Sequence, residues 1–180
     1  MTQKELIKQA IALAGQHIGV PYVRGGKDEN GFDCSGLWLR VFSQMGIDFA
    51  VRFRTVEFFA DAKPIALEEV QEGDVMFWHE EPGKNEHNFV YHIEMIVDKP
   101  FLKEGKWFVK TIGTKKEFGF DGQGRQLDSY GVAYFIREIN QRKSFGRFSY
   151  FDQILEYQKT GDAQHLAVAK PQEVKTKREL

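Results

Sequence analysis

The chain has 180 residues, of which 42% are apolar. That supply of apolar side chains suits the core of one domain and is small for two. Because 25 Lys and Arg stand against 26 Asp and Glu, the formal net charge is -1 at pH 7, which leaves no broad basic field for a phosphate backbone. The composition therefore predicts a single domain and argues against nucleic acid as a partner.

No apolar run reaches the roughly 18 to 20 residues that a membrane-spanning helix needs. The opening segment, residues 1–20, has acid in its first turn and no basic stretch ahead of its apolar residues. A secretory signal has the opposite arrangement. We therefore expect neither a membrane span nor a signal peptide.

Two helices are predicted in the first part of the chain. Over residues 2–15, Thr2 and Glu5 have the spacing of a capping box, and the apolar side chains that follow share one helical face. Over residues 34–45, Asp33 stands at the N-cap position and apolar side chains surround much of the helix, which should therefore be buried. Further helices are predicted over residues 53–60 and 149–160.

The later part of the chain is predicted to form strands. They cover residues 74–78, 89–97, 106–112 and 131–136. The first two should pair antiparallel, and the polar, glycine-containing segment 113–130 is expected to form an extended loop. Helices followed by strands indicate the α+β class. We expect one domain over residues 1–165 and a loosely held tail over residues 166–180.

Cys34 is the one cysteine of the chain, so it cannot form an internal disulfide or join a thiolate cluster for structural zinc. It falls on the first turn of the second predicted helix. There the helix dipole and unpaired backbone N–H groups favour the thiolate and lower the thiol pKa below the free value of about 8.5. The residue is therefore either an inert buried thiol or a nucleophile.

A thiol nucleophile needs a base, and the chain offers five histidines. His92 is the best candidate because it lies near the start of a predicted strand, on the same face as Glu94. A core-edge histidine bonded to a backbone carbonyl is the alternative for this residue. His79 and His87 flank a polar turn and are expected to be solvated.

The order and spacing of several motifs resemble the NlpC-type cell-wall cysteine peptidases, a papain-like family. The motifs are Pro21-Tyr22-x-x-Gly25-Gly26, Gly31-Phe32-Asp33-Cys34-Ser35-Gly36-Leu37, Glu72-Gly73-Asp74-Val75-Met76-Phe77 and His92 at the head of a strand. The resemblance covers roughly residues 5–115. It implies a papain-like fold in which N-terminal helices pack on an antiparallel β-sheet.

The resemblance also implies a reaction. The family hydrolyses stem peptides of bacterial peptidoglycan, commonly between D-γ-glutamate and a diamino acid. Cys34 would attack the carbonyl, and His92 would take and return the proton through a thioester intermediate. Backbone N–H groups at the helix start would bind the oxyanion. No metal and no organic cofactor is implied.

By the same resemblance, three further residues would line the substrate site. Tyr22 would place its hydroxyl beside the thiol, whereas Asp33 and Ser35 would face the stem peptide, with the Asp33 carboxylate suited to a free amino terminus. The alternatives are a loop aromatic for Tyr22, a plain helix cap for Asp33 and a first-turn polar residue for Ser35.

Two positions depart from the family pattern. Relatives usually have glycine two residues after the catalytic histidine, where this chain has Glu94, and a charge there must be paired or hydrated. Relatives also carry a polar residue on the next strand that orients the imidazole, and this chain has Gly113 at the equivalent point. Thr111, Glu94 or a backbone carbonyl could orient His92 instead.

These departures keep other functions open. A papain-like amidase, acyltransferase or transglutaminase-like enzyme would use the same thiol on a different bond or acceptor. A phage-tail or secretion-apparatus module would keep the fold without turnover. Because peptidoglycan lies outside the cytoplasm and no export signal is seen, cytoplasmic synthesis followed by phage or secretion-system delivery fits the sequence. The sequence does not indicate the oligomeric state of the protein.

Overall fold

The computed structural model of the protein describes residues 1–82 and 90–169, and in these ranges three helices come first, most of the strands follow, and a fourth helix lies near the end. The helices are α1 (Gln3–Gly15), α2 (Cys34–Gln44), α3 (Thr55–Asp61) and α4 (Tyr150–Thr160). The strands are β1 (Lys27–Asp28), β2 (Gly31–Phe32), β3 (Asp48–Phe49), β4 (Lys63–Ile65), β5 (Val75–His79), β6 (Val90–Ile96), β7 (Phe101–Lys103), β8 (Lys106–Phe120), β9 (Gln126–Glu138), β10 (Lys143–Arg147) and β11 (Ala167–Val168).

The main sheet is antiparallel throughout. Its strand order is β4-β10-β5-β6-β8-β7, and β9 pairs with β8. Strands β5 and β6 pair as predicted, with Trp78 opposite His92. The predicted strand over 89–97 is observed as β6, and Phe89 lies outside the described residues. The α+β prediction is confirmed.

Helix α1 begins where the capping box predicts. Thr2 Oγ1 accepts a hydrogen bond from the Glu5 backbone N–H at 3.2 Å, and the Thr2 backbone N–H donates to Glu5 Oε2 at 2.6 Å. Leu6, Ala10 and Ala14 are buried on the predicted face. This face anchors α1 against the rest of the core, since it belongs to the same apolar cluster as the buried residues of α2.

Helix α2 is the centre of the core and fixes the position of its own first residue, Cys34. Asp33 Oδ1 accepts a hydrogen bond from the Gly36 backbone N–H at 2.6 Å, which caps the helix as predicted. A side chain at position 36 would place its Cβ 1.9 Å from the Gly26 carbonyl oxygen, so glycine is required for the Gly25-Gly26 loop to pack on this turn. Trp38 and Phe42 are fully buried further along the helix.

The sheet buries apolar side chains on both faces. Phe77, Ile93 and Met95 face the helices and share the large core with α1 and α2. Met76 and Ile96 belong to a smaller cluster with Val70, Val109 and Phe145. The alternation along β6 thus places Ile93 and Ile96 in different clusters, as the predicted faces require.

The expectation of an extended loop over 113–130 is wrong. Strand β8 continues to Phe120 and β9 begins at Gln126, so most of this segment is a long hairpin. Asp121 closes the turn by accepting hydrogen bonds from the Gln123 and Arg125 backbone N–H groups, both at 2.9 Å. Irregular pairing after Lys115 breaks the alternation that would have marked a strand in the sequence.

Two further expectations require correction. Residues 167–168 are not loosely held, because β11 pairs in parallel with β3 and Val168 is buried; residues 170–180 lie outside the described residues. His79 is not solvated, since it is buried and its Nε2 lies 2.6 Å from Ser144 Oγ. His87 lies outside the described residues. The flanking polar turn was a poor guide because β5 extends one residue further than predicted.

Within residues 1–82 and 90–169, every helix is too short or too polar to span a bilayer.

Candidate active site

Cys34 lies at the first position of α2, where the strands of the sheet approach the helix. Its Sγ is 3.4 Å from Thr55 Oγ1 and 3.7 Å from the Tyr91 carbonyl oxygen, and the His92 side chain lies close enough to lower the pKa of the thiol. The residue is only 8% exposed. The structure thus brings the predicted nucleophile and the predicted base together.

The His92 ring is held from two sides in addition to the thiol. Its Nε2 lies 2.7 Å from Glu94 Oε1, and the ring packs edge-on against Trp78 with centroids 4.8 Å apart. Because Glu94 engages Nε2, the other ring nitrogen, Nδ1, is the one available to Cys34. The imidazole is therefore oriented by a side chain of its own strand.

The thiol and the imidazole shift each other's pKa. Burial raises the pKa of Cys34, but the hydrogen bond and charge of His92, together with the hydrogen bond of Thr55, outweigh burial and lower it. Burial lowers the pKa of His92, but its hydrogen bonds to Cys34 and Glu94 outweigh burial and raise it. Both shifts favour a thiolate paired with an imidazolium.

Glu94 is fully buried and its carboxylate is paired, as expected from the sequence for a charge at this position. Burial raises the pKa of its carboxyl group, but Arg137 and His92 overcome that effect and lower it well below the usual range. Arg137 donates two hydrogen bonds to the carboxylate, from Nη2 at 2.5 Å and from Nε at 2.9 Å. Glu94 is therefore a stable anion next to the imidazole.

Thr111 and Gly113 support Glu94 from strand β8. Thr111 Oγ1 donates to Glu94 Oε2 at 2.6 Å, so it reaches His92 only through the carboxylate. A Cβ at position 113 would lie 2.7 Å from Glu94 Cγ. The absence of a side chain at Gly113 therefore leaves the space that Glu94 occupies.

The Asp33 carboxylate is occupied by the protein itself. It accepts hydrogen bonds from the Gly25 and Gly36 backbone N–H groups, from Ser35 Oγ at 3.2 Å and from Arg52 Nη2 at 3.0 Å. Helix capping and the Arg52 ion pair account for these contacts. An amino terminus that binds this carboxylate would compete with Arg52 for it.

The other two residues predicted for the substrate site differ in exposure. Ser35 is 4% exposed and donates to Asp33, so its hydroxyl belongs to the helix start. Tyr22 is partly exposed; burial raises the pKa of its phenol, and the negative charges of Cys34 and Asp33 raise it further. Tyr22 is thus the better placed of the two to meet a substrate.

Two residues of this site were not predicted from the sequence. Thr55 contacts the thiol from the first turn of α3, and Arg137 binds Glu94 from β9. Arg137 is 43 residues from Glu94 in the chain, and only the pairing of β8 with β9 brings the two together. The requirement that a charge at Glu94 be paired or hydrated was the one signal in the sequence for a cationic partner.

The fold and the site together define a papain-like α+β protein. A model of the NlpC/P60 family matches residues 19–137, well over half of the chain. The chain belongs to the NlpC/P60 family, which confirms the resemblance inferred from its motifs.

Relatives with assigned names agree with this family. A probable endopeptidase of Mycobacterium bovis is 38% identical over 69 residues, which are 38% of this chain and 17% of that protein. The gamma-D-glutamyl-L-lysine dipeptidyl-peptidase of Bacillus subtilis is 27% identical over 95 residues, 53% of this chain and 30% of that protein. The chain thus spans less than a third of the length of either relative. The family and these names support a peptidase.

Among solved structures, an NlpC/P60 family protein from Bacillus cereus has a TM-score of 0.54 to this chain. The sequences are 20% identical, and the match covers 79% of this chain and 40% of that one. At this identity the likeness shows the fold.

Proposed function

We propose that the protein is a cysteine endopeptidase that hydrolyses peptidoglycan stem peptides between D-γ-glutamate and a diamino acid. The observation that carries the proposal is the buried Cys34 thiol at the first position of α2 with the His92 imidazole, held by Glu94, beside it; the thiol pKa is lowered and the imidazole pKa is raised. Such a pair supplies a nucleophile and a proton donor at neutral pH. Membership of the NlpC/P60 family and the name of the Bacillus subtilis relative support the choice of bond.

The reaction begins with attack of Cys34 Sγ on the carbonyl carbon of the scissile bond. The oxyanion that forms accepts hydrogen bonds from backbone N–H groups at the start of α2, including that of Cys34, which have no partner within the helix. His92 then donates its proton to the nitrogen of the leaving amine, and a thioester remains on Cys34. Water activated by neutral His92 hydrolyses the thioester and restores the pair.

Glu94 orients His92 throughout these steps. Its hydrogen bond to Nε2 keeps Nδ1 directed at the thiol and stabilises the imidazolium that forms. Thr111 holds the second carboxylate oxygen and so positions Glu94. In this scheme Cys34 and His92 touch the reacting atoms, and Glu94 and Thr111 act through His92.

The exposure of each side chain and the hydrogen bonds it already makes indicate which residues can contact the substrate. Tyr22 is partly exposed and is proposed to contact the acyl part of the stem peptide. Asp33 and Ser35 bind each other and the start of α2, so their contribution to substrate binding is through the shape of that turn.

The proposal is tested by mass spectrometry of a defined stem tetrapeptide incubated with the wild type, Cys34→Ala and His92→Ala. The wild type should release the two fragments of the D-γ-glutamyl bond, and both variants should lose cleavage by at least about a hundredfold. His165→Ala is the matched control, because this histidine lies in a short helical turn near the end of the described chain. Cleavage by Cys34→Ala at the wild-type rate would contradict the proposal.

A non-catalytic module is the competing interpretation, and thiol reactivity separates the two. A thiolate paired with His92 should react with iodoacetamide at neutral pH faster than a free model thiol does. Reaction no faster than the model thiol would favour the module. Formation of a transfer product in place of free acid in the peptide assay would favour an acyltransferase.

A further inference from the structure

Behind the Cys34–His92 pair lies a buried set of charges that the reaction scheme does not use. Its centre is Arg137, whose side chain is 10% exposed and binds two carboxylates. Nη2 and Nε contact Glu94, and Nη1 contacts Glu117 Oε2 at 2.5 Å. The guanidinium carbon also lies over the Phe135 ring, 4.0 Å from its centroid, a favourable cation–π contact.

We propose that Arg137 is a positioning residue for the thiol–imidazole pair, acting through Glu94. It would hold the carboxylate in place and balance its charge while His92 gains and loses a proton. An effect of Arg137 on peptide turnover rests on the proposed function. An effect on thiol reactivity does not, because that reactivity can be measured whether or not the protein cleaves stem peptides.

The argument starts from the cost of burying Glu94. A fully buried carboxylate needs a cationic partner, and an uncompensated one costs several kcal/mol. His92 can be that partner only while it is protonated. During turnover the imidazole gives its proton to the leaving amine, so His92 cannot balance Glu94 at every stage.

Arg137 provides a positive charge next to Glu94 when His92 is neutral. Guanidinium stays protonated at any pH at which proteins fold, and its two parallel donors match a carboxylate. Glu94 is therefore compensated when His92 is neutral and when it is a cation. The pKa of Arg137 agrees with this role, because burial lowers it but the two carboxylates raise it more.

Other charged groups near Arg137 come from each neighbouring strand. They are His92 and Glu94 on β6, Lys115 and Glu117 on β8, and Lys143 on β10, with Cys34 on α2 beyond His92. Lys115 pairs with Glu117 at 3.0 Å, and the Lys115 and Lys143 amines lie over the Trp78 ring. Glu94 is the group that links this set to His92, so the effect of Arg137 on the thiol must pass through it.

The test measures the rate of alkylation of Cys34 by iodoacetamide as a function of pH. Loss of a nearby positive charge raises the pKa of both the thiol and the imidazole. In Arg137→Gln the midpoint of the acid limb should therefore rise by about one pH unit, and peptide turnover should fall by up to about a hundredfold. Arg137→Lys keeps the charge but not the paired donors, so it should restore the midpoint while turnover stays low.

Arg147→Gln is the matched control. Arg147 makes a similar two-point contact to the buried Asp74, from Nε at 2.6 Å and from Nη2 at 2.8 Å, on the strand β10. Arg147→Gln should lose about as much stability as Arg137→Gln does, and its alkylation rate should keep the wild-type dependence on pH. A double-mutant cycle with Glu94→Gln adds a second measurement: in that background, removal of Arg137 should change the profile much less than it does in the wild type.

The outcomes are distinct. A wild-type midpoint in folded Arg137→Gln, or effects of Arg137→Gln and Glu94→Gln that simply add, would overturn the role of Arg137. If Arg137→Gln does not fold, Arg137→Lys with wild-type turnover would overturn it as well. If no variant and no wild type cleaves stem peptides but the alkylation profile shifts as expected, the positioning role stands and the proposed peptidase function fails.

Discussion

At the scale of single residues, two strands share the task of holding His92. The resemblance led us to expect glycine at position 94 and an orienting side chain at position 113, whereas the chain has Glu94 and Gly113 there. Glu94 fills the space above Gly113, and its Oε1 lies 2.7 Å from His92 Nε2. The orienting group thus comes from the base's own strand.

Replacement of Glu94 by glutamine tests this orientation through pH dependence. The carboxylate raises the pKa of His92, and a neutral amide cannot, so the imidazolium of Glu94→Gln should lose its proton at lower pH. The alkaline limb of kcat/KM should therefore move to lower pH, with a fall in kcat of about tenfold or more. Glu138→Gln, on the exposed part of β9, should keep the wild-type profile. An unchanged alkaline limb in Glu94→Gln would show that the carboxylate does not act on His92.

At the scale of elements, the sequence predicted the parts that rest on local rules and missed those that rest on pairing. The caps of α1 and α2 and the alternation of β6 follow from a few neighbouring residues, and each was found. The continuation of β8 and β9 through residues 113–130 depends on two strands that recognise each other, and irregular pairing after Lys115 hides the period of two. Arg137 was missed for the same reason.

Gly113 on strand β8 allows a test of how Glu94 is positioned. Because a Cβ there would lie 2.7 Å from Glu94 Cγ, Gly113→Ala must displace the carboxylate or the strand. We expect kcat to fall by up to about a hundredfold with a moderate loss of stability, measured by peptide cleavage and by urea denaturation.

Gly122→Ala is the control for that substitution. Gly122 lies at the turn of the same hairpin, and among the described residues a Cβ there would meet only Tyr134 Cε2, at 3.9 Å. This variant should retain wild-type activity. Equal activity in Gly113→Ala and Gly122→Ala would mean that the space above Gly113 is not used to orient Glu94.

At the scale of the whole molecule, the buried carboxylate beside His92 also contributes to the pH dependence of folding. The pKa of Glu94 is lowered in the folded protein, mainly by Arg137 and His92 against burial, from an unfolded value of about 4.3. The unfolded chain therefore binds more protons at acid pH. Stability from this group is fully present above about pH 4.3 and is lost as the pH falls from there toward the folded pKa.

Urea denaturation at a series of pH values checks this linkage. The free energy of unfolding of the wild type should decrease as the pH falls below about 4.3, and in Glu94→Gln the decrease should be smaller, because the amide does not titrate. Glu138→Gln should follow the wild type. The same slope in Glu94→Gln and the wild type would show that the buried carboxylate is not the source of the acid sensitivity.

The covalent intermediate is the most direct test of a thiol that acts as a nucleophile. A stem tetrapeptide mixed with the protein and quenched in acid within milliseconds to seconds should add the mass of the acyl fragment, and peptide mapping should locate it at Cys34 as a thioester. The adduct should disappear as free acid is released. In His92→Gln, an activated ester of the acyl fragment should still acylate Cys34, and the adduct should then accumulate. Release of cleaved product at the full rate with no adduct on Cys34, or with the adduct at another residue, would contradict the account.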